Sequence, residues 1–282
     1  MHTVIRSGRF YFWPIISANV VTMTIAVGAD PIRALLFSVG LSCLASFGFL
    51  LNDLWDRDVD RVNEANHFEN SDSTTIIIGV STGGFFLLAS LAVAYWLGPM
   101  EFGVSSGIAA ALGAYTTLLR RFLVAPTITA ALLSASPLWA PLFLWEKNID
   151  PWKYVLVAAI VLLLAARETL MDARDRLGDV AGGRDTLATV FGERIPRYVG
   201  VILSVSAGVP FVIAIASGMS GKAILTKLGV SAVSGIILYL LIKPAAAILD
   251  PGNHRAAIQK YVCTSRLAMA LIPLLNLILW RL

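Results

Sequence analysis

The chain has 282 residues, of which 57% are hydrophobic and only 14% charged, with a mean hydropathy of +0.76. An ordinary soluble domain, in which about a quarter of residues are charged, is excluded. The net charge of +4 and pI near 9.2 fit basic loops facing anionic lipid and give no support to a nucleic-acid partner. Cys43 and Cys263 lie in apolar segments without CxxC spacing, so disulfide and zinc roles find no footing.

Nine apolar runs of near-spanning length are expected, all helical, because only closed backbone hydrogen bonding survives in lipid. The stretch MHTVIRSGRF lacks a signal peptide's compact apolar core and small-residue cleavage site, so the first helix is expected to be retained. The first span runs from about Phe10 to Val27 and tolerates Pro14. Asn19 inside it reads as an interhelical hydrogen bond. Asp30-Pro31 restarts the chain, and the second span runs from about Ile32 into NDLWDRDVD, residues 52–60. A polar loop from Val62 to Ser73 follows, with His67 on its surface. The third span covers about Thr74 to Leu97 and the fourth about Phe102 to Leu119, ending at Arg120-Arg121. Gly79/Gly83 and Gly103/Gly107 read as helix-packing pairs. The fifth, about Pro126 to Trp145, is interrupted by Pro137 and Pro141. The sixth, from about Trp152, leads into ETLMDARDRLGD, residues 168–179. The seventh (about Tyr198 to Ala216), eighth (about Ile224 to Ile242) and ninth (about Tyr261 to Trp280) complete the set, with His254 in a surface loop before the last. Trp13, Tyr95, Trp96, Trp145, Trp152, Tyr198, Tyr261 and Trp280 fall near span ends, as interfacial aromatics do.

The two acidic stretches carry the chemistry. On a continuing helix Asn52, Asp56 and Asp60 fall at i, i+4 and i+8, one face, with Asp53 flanking it. Glu168, Asp172, Asp175 and Asp179 follow at four, three and four, again one face. Asn52 to Glu168 and Asp56 to Asp172 are both separated by 116 residues, the offset an internal duplication would leave. It slips at position 176, which is Arg. Acids at such depth are costly and usually functional. Two facing acid stripes repel unless a metal or a proton relieves them. Mg2+, which takes one or two carboxylates together with substrate phosphates, would do so if it bridged a diphosphate. The bland alternative is a solvated helix end laced with Asp–Arg pairs, for which Arg57, Arg174 and Arg176 are available. Arg120-Arg121 reads either as a lipid-facing anchor or, being near Tyr115, as a diphosphate contact. Of the 22 Lys and Arg, sixteen fall on the side of the acid stretches and six on the other, which orients those stretches toward the cytoplasm.

NDLWDRDVD fits the NDxxDxxxD signature of the UbiA-type intramembrane prenyltransferases, and DARDRLGD fits that family's second DxxDxxxD box. Arg167-Glu168 before the second box, GGRDTLATVFG after it, and YTTLLRRF (Tyr115 to Phe122) resemble further family segments. The chain departs from the family in VNEANHFENSDS, where a basic, proline-containing loop is usual, and at Ala188, where Pro is typical. The resemblance covers nearly the whole chain. It implies a single domain over residues 1–282, an all-α membrane bundle of nine helices around a central cavity. It further implies an isoprenyl diphosphate held through Mg2+ by Asn52, Asp53, Asp56 and Asp60 on one side and by Asp172, Asp175 and Asp179 on the other. Asn52, Arg120 and Arg121 would contact the diphosphate, and Asp56, Asp172 and Arg120 would be catalytic. The activity implied is prenyl transfer to an aromatic or other lipophilic acceptor. A terpene cyclase of the same type would use the same boxes, and a divalent-cation transporter would need a continuous polar path that the apolar parts of spans two and six do not offer.

Overall fold

The structure, a computed structural model, describes residues 2–57, 62, 68, 71–147, 150–218, 222, 224–243, 245–250, 252 and 254–281. Among these there is no strand. A short helix α1 (His2–Ser7) precedes α2 (Trp13–Ala26), and α3 (Pro31–Trp55) follows. Asp30 caps α3 by accepting from the Ile32 amide at 2.9 Å, with Pro31 at the first helical position. Next come α4 (Ser73–Leu97) and α5 (Pro99–Thr117). Asp72 caps α4 by accepting from the Thr75 amide at 2.9 Å. The stretch around Pro137 is two helices, α6 (Ala125–Ser134) and α7 (Ser136–Trp145), bent by 67°. Pro137 lacks the amide that would continue the helix.

The longest helix is α8 (Pro151–Ala181), followed by α9 (Leu187–Phe191), α10 (Arg194–Gly218), α11 (Ile224–Ile242), α12 (Ala245–Leu249) and α13 (His254–Arg281). Every one of the nine expected runs is therefore helical. By length and composition, four helices are sufficient to cross a membrane among the described residues, five if the bent pair counts as one. The expected nine crossings exceed what these criteria establish.

Neighbouring helices close a ring. The sequence of packed pairs runs α2–α3–α4–α5–α6–α8–α10–α11–α13 and back to α2. One core is formed around α8, α10 and α13 by Leu156, Ile160, Leu170, Phe211, Ile258 and Leu275, and another around α2 and α3 by Val20, Phe37, Leu41 and Leu44. Lipid tails are as apolar as leucine, so close packing rather than dehydration holds such helices together. The tightest approach is at Gly200 of α10, where a Cβ would stand 2.6 Å from Leu170 Cγ and 3.2 Å from the Ala166 carbonyl. Gly79 and Gly83 similarly face Phe68, Leu54, Phe47 and Leu50. Gly103 and Gly107 face open space, which corrects their reading as a packing pair. The most apolar stretch of α3 is 61% buried and that of α4 only 17%, so α3 is an inner helix and α4 an outer one.

Ion pairs fasten the end of the bundle remote from the acid stretches. Arg33 donates to Glu101 at 2.6 Å and to the Leu97 carbonyl at 2.7 Å, and Trp145 Nε1 donates to the same Glu101 at 3.1 Å. Lys153 meets Glu146 at 2.8 Å. Trp145 is thus an internal strut as well as an end marker. Tyr261 is not interfacial. It is fully buried, its hydroxyl 2.9 Å from Ser204 Oγ. Asn19 bonds within its own helix, to the Ile15 carbonyl at 2.8 Å, and not to a neighbour. His254 lies part-buried at the start of α13, 3.1 Å from Glu193, while His67 lies outside the described residues.

Candidate active site

The helix carrying the first acid stretch stops inside it. The last residue of α3 is Trp55, and Asp56 is its C-cap, with its amide donating to the Asn52 carbonyl at 2.8 Å. The helix therefore does not run unbroken through the stretch, because Asp56 marks its end. Asp60 lies outside the described residues. Negative side chains at a helix C-terminus oppose the helix dipole, and Asn52–Asp60 holds four acids against one Arg. The two acids at the helix end are buried, Asp53 and Asp56 each 3% exposed.

Asp53 is held by Arg9, whose Nη2 donates to it at 3.0 Å while the guanidinium lies over the Phe49 ring at 4.6 Å. Arg9 has φ 47°, and among the described residues no other non-glycine has a positive φ. That backbone state costs about 1 kcal/mol or more, and the ion pair with a buried carboxylate offsets it.

The second stretch behaves as its spacing requires. The helix α8 runs through Glu168, Asp172, Asp175 and Asp179 to Ala181. Its end is a Schellman motif. Gly183 takes φ +64°, its amide donating to Val180 at 3.2 Å, and the Arg184 amide donates to the Asp179 carbonyl at 2.9 Å. This turn folds Arg184 back over Asp179. Thr186 and Thr189 then form a capping box that starts α9. Arg176 anchors the segment by donating to the Ala188 carbonyl at 2.9 Å. Ala188 is wholly buried.

Arg184 joins the two stretches. Its guanidinium contacts the Asp56 carboxylate and, through Nη1, the Asp179 carboxylate at 3.3 Å. Burial works against its charge, but the Asp56 and Asp179 carboxylates outweigh burial and hold it more firmly protonated than usual. Next to this bridge lies a small, partly open pocket, lined by Tyr115 of α5, Thr127 of α6, Glu168 and Asp172 of α8, Asp185 and Thr186, with Leu123, Pro126 and Ala130 as its apolar wall. Tyr115 is within electrostatic reach of Asp56, Arg184, Glu168 and Asp172 alike.

The structure thus groups Asp56, Asp179 and Asp172 around Arg184 and Tyr115. Asn52 stands one turn before Asp56, and its Oδ1 is buried without a hydrogen-bond partner among the described residues. Asp175 faces its neighbour Arg174, which donates to it from Nε and Nη2 at 2.6 Å and reaches Gln259 of α13 at 3.1 Å. Arg121 is exposed in a short 3-10 turn, Leu119–Arg121; the Arg120 side chain lies outside the described residues. Arg184 and Arg9 were not singled out by spacing. The Gly-Gly pair before Arg184 is the one local signal that could have pointed to it, because it marks the turn that brings residue 184 back to Asp179.

Residues 11–269 match the model of the UbiA prenyltransferase family. The chain belongs to that family. It is an integral membrane prenyltransferase. A digeranylgeranylglyceryl phosphate synthase from Thermococcus sibiricus is 26% identical over 223 residues, 77% of this chain and 76% of that one. A 4-hydroxybenzoate solanesyltransferase from Synechocystis is 26% identical over 193 residues, covering 66% and 64%. A solved UbiA homologue from Archaeoglobus fulgidus, bound to GPP and Mg2+, shares the fold with a TM-score of 0.67 at 17% identity, over 95% of this chain and 97% of that one.

Proposed function

We propose that the protein transfers an isoprenyl group from an allylic isoprenyl diphosphate to a lipophilic acceptor, with Mg2+, at a site between the ends of α3 and α8 that faces the cytoplasm. The observation that carries this reading is the Arg184 bridge between Asp56 and Asp179, because it puts two acid groups from separate helices within one side chain's reach. The orientation rests on the sixteen-to-six distribution of basic residues. Relatives named as a digeranylgeranylglyceryl phosphate synthase and a 4-hydroxybenzoate solanesyltransferase support transfer over cyclisation.

The residues present suit Mg2+. The donors are all oxygens, and Asn52 Oδ1 is buried and, among the described residues, unpartnered. Among the described residues no three Asp, Glu, His or Cys groups could enclose a metal unaided. That fits an ion that takes one or two carboxylates and completes its shell with phosphate oxygens and water. Asn52, Asp56, Asp60, Asp172 and Asp179 would hold it, with Asp53 and Asp175 kept by Arg9 and Arg174 to fix the two helix ends. Bound there, Mg2+ supplies charge neutralisation at the leaving diphosphate. Arg184, Arg120 and Arg121 would add positive charge for the same oxygens. Leu123, Pro126 and Ala130 keep water from the allylic carbon, so that the acceptor, rather than water, takes the isoprenyl group.

The test is incubation of purified protein with Mg2+ and diphosphates of ten, fifteen and twenty carbons, with and without candidate acceptors. Diphosphate release that depends on acceptor is expected. Release with a cyclic product and no acceptor would replace transfer by cyclisation.

A further inference from the structure

Arg184 occupies the place that a metal shared by Asp56 and Asp179 would need. Its backbone is fixed on both sides, the amide bonded to Asp179 at 2.9 Å and the carbonyl accepting from Thr189 Oγ1 at 2.9 Å. Its side chain is less complete. Nη2 is taken up by its close ionic contact with Asp56, whereas Nε is buried and makes no hydrogen bond among the described residues. A buried guanidinium normally satisfies all its donors. Here one donor, Nε, stays open in a site that the preceding reading assigns to a polyanion.

We propose that Arg184 is a resident counter-cation: it neutralises Asp56 and Asp179 while the site holds no metal, and it moves to diphosphate oxygens when metal and donor enter together. The inference rests on the metal–diphosphate reading above. A divalent ion arriving alone meets a positive charge already seated on its carboxylates and finds no anion to receive the displaced guanidinium. A diphosphate arriving with the ion provides that anion, and Arg184 can pair with it through two parallel donors. Metal and donor therefore bind as partners, and the metal-free site avoids two facing, uncompensated carboxylates.

The experiment is Mn2+ titration of the full chain in detergent, followed by the electron paramagnetic resonance signal of free Mn2+, without diphosphate. Mn2+ serves because it takes the same oxygen donors. Arg184→Gln should bind Mn2+ about tenfold more tightly than the unaltered protein, since a like charge in contact has been removed. Arg184→Lys keeps the charge and should stay within about threefold of the unaltered protein. In parallel, Arg184→Gln should unfold at a lower temperature in EDTA and regain the loss when Mg2+ is added, which a purely structural defect would not do. Adding geranyl thiolodiphosphate to the Mg2+-loaded protein should raise the unfolding temperature less in Arg184→Gln than in the unaltered protein. Equal or weaker Mn2+ binding by Arg184→Gln, with Asp179→Asn still abolishing binding, would overturn the counter-cation role alone. If Asp179→Asn binds Mn2+ as the unaltered protein does, the metal reading of the site falls, and this inference with it.

Discussion

The acidic ends of α3 and α8 carry the same kinds of side chain, yet α3 stops at Trp55 while α8 continues to Ala181. At the α3 end, both buried acids are compensated by arginines distant in sequence, Asp53 by Arg9 and Asp56 by Arg184. At the α8 end compensation is mostly local, with Arg167 beside Glu168 and Arg174 beside Asp175. Acids in the last turn of a helix oppose its dipole, and a nearby arginine offsets that cost. The α3 end thus draws charge balance from distant parts of the chain, and the α8 end draws it from its own neighbours.

The largest effects should come from groups that serve both ends. Asp56→Ala or Asp172→Ala should lower turnover by about 100-fold or more, the scale of losing one electrostatic contact to a developing charge. Circular dichroism should show unchanged helicity, and unchanged turnover would end the enzymatic reading of these residues. Gly200→Val tests the packing that supports the α8 end. Its side chain would press on Leu170 and the Ala166 carbonyl, at a cost of about 1–3 kcal/mol, read as a lower unfolding temperature. Asp175→Asn should cost less than about tenfold in kcat/KM, since Asp175 is already committed to Arg174. A loss as large as that of Asp172→Ala would place Asp175 with the metal-binding groups.

The smallest effect concerns the outer helix. Hydrogen bonds from Thr75 hold the Asp72 carboxyl below the usual aspartate range. A carboxyl so lowered stabilises the fold above its unfolded pKa, and the contribution is lost as pH falls through the folded one. Asp72→Ala should therefore lower the unfolding temperature slightly at neutral pH, and the gap from the unaltered protein should close in acid.

Much of the helical frame was legible from the chain. Asp30-Pro31 reads as a helix start and caps one, and Pro137 breaks the fifth run where its missing amide requires. The 4-3-4 spacing of Glu168, Asp172, Asp175 and Asp179 described a helix that does continue. The same logic failed at Asp56, because periodicity assumes an unbroken helix and LNDLWDRD contains no Gly or Pro to announce the stop. Phe68 shows another limit. It falls in a stretch read as a polar loop, yet it is wholly buried against Gly79 and Leu50, a partnership set by tertiary packing. The bridging role of Arg184 needed both ends in space, since Asp56 lies 128 residues before it.

That the two acid ends act as one site is tested most directly by a double-mutant cycle on Asp56→Asn and Asp179→Asn, read as kcat/KM under saturating Mg2+. Groups sharing one bound headgroup should couple, the double variant departing from the product of the single losses by more than about 0.5 kcal/mol. Losses that simply multiply would contradict a shared site.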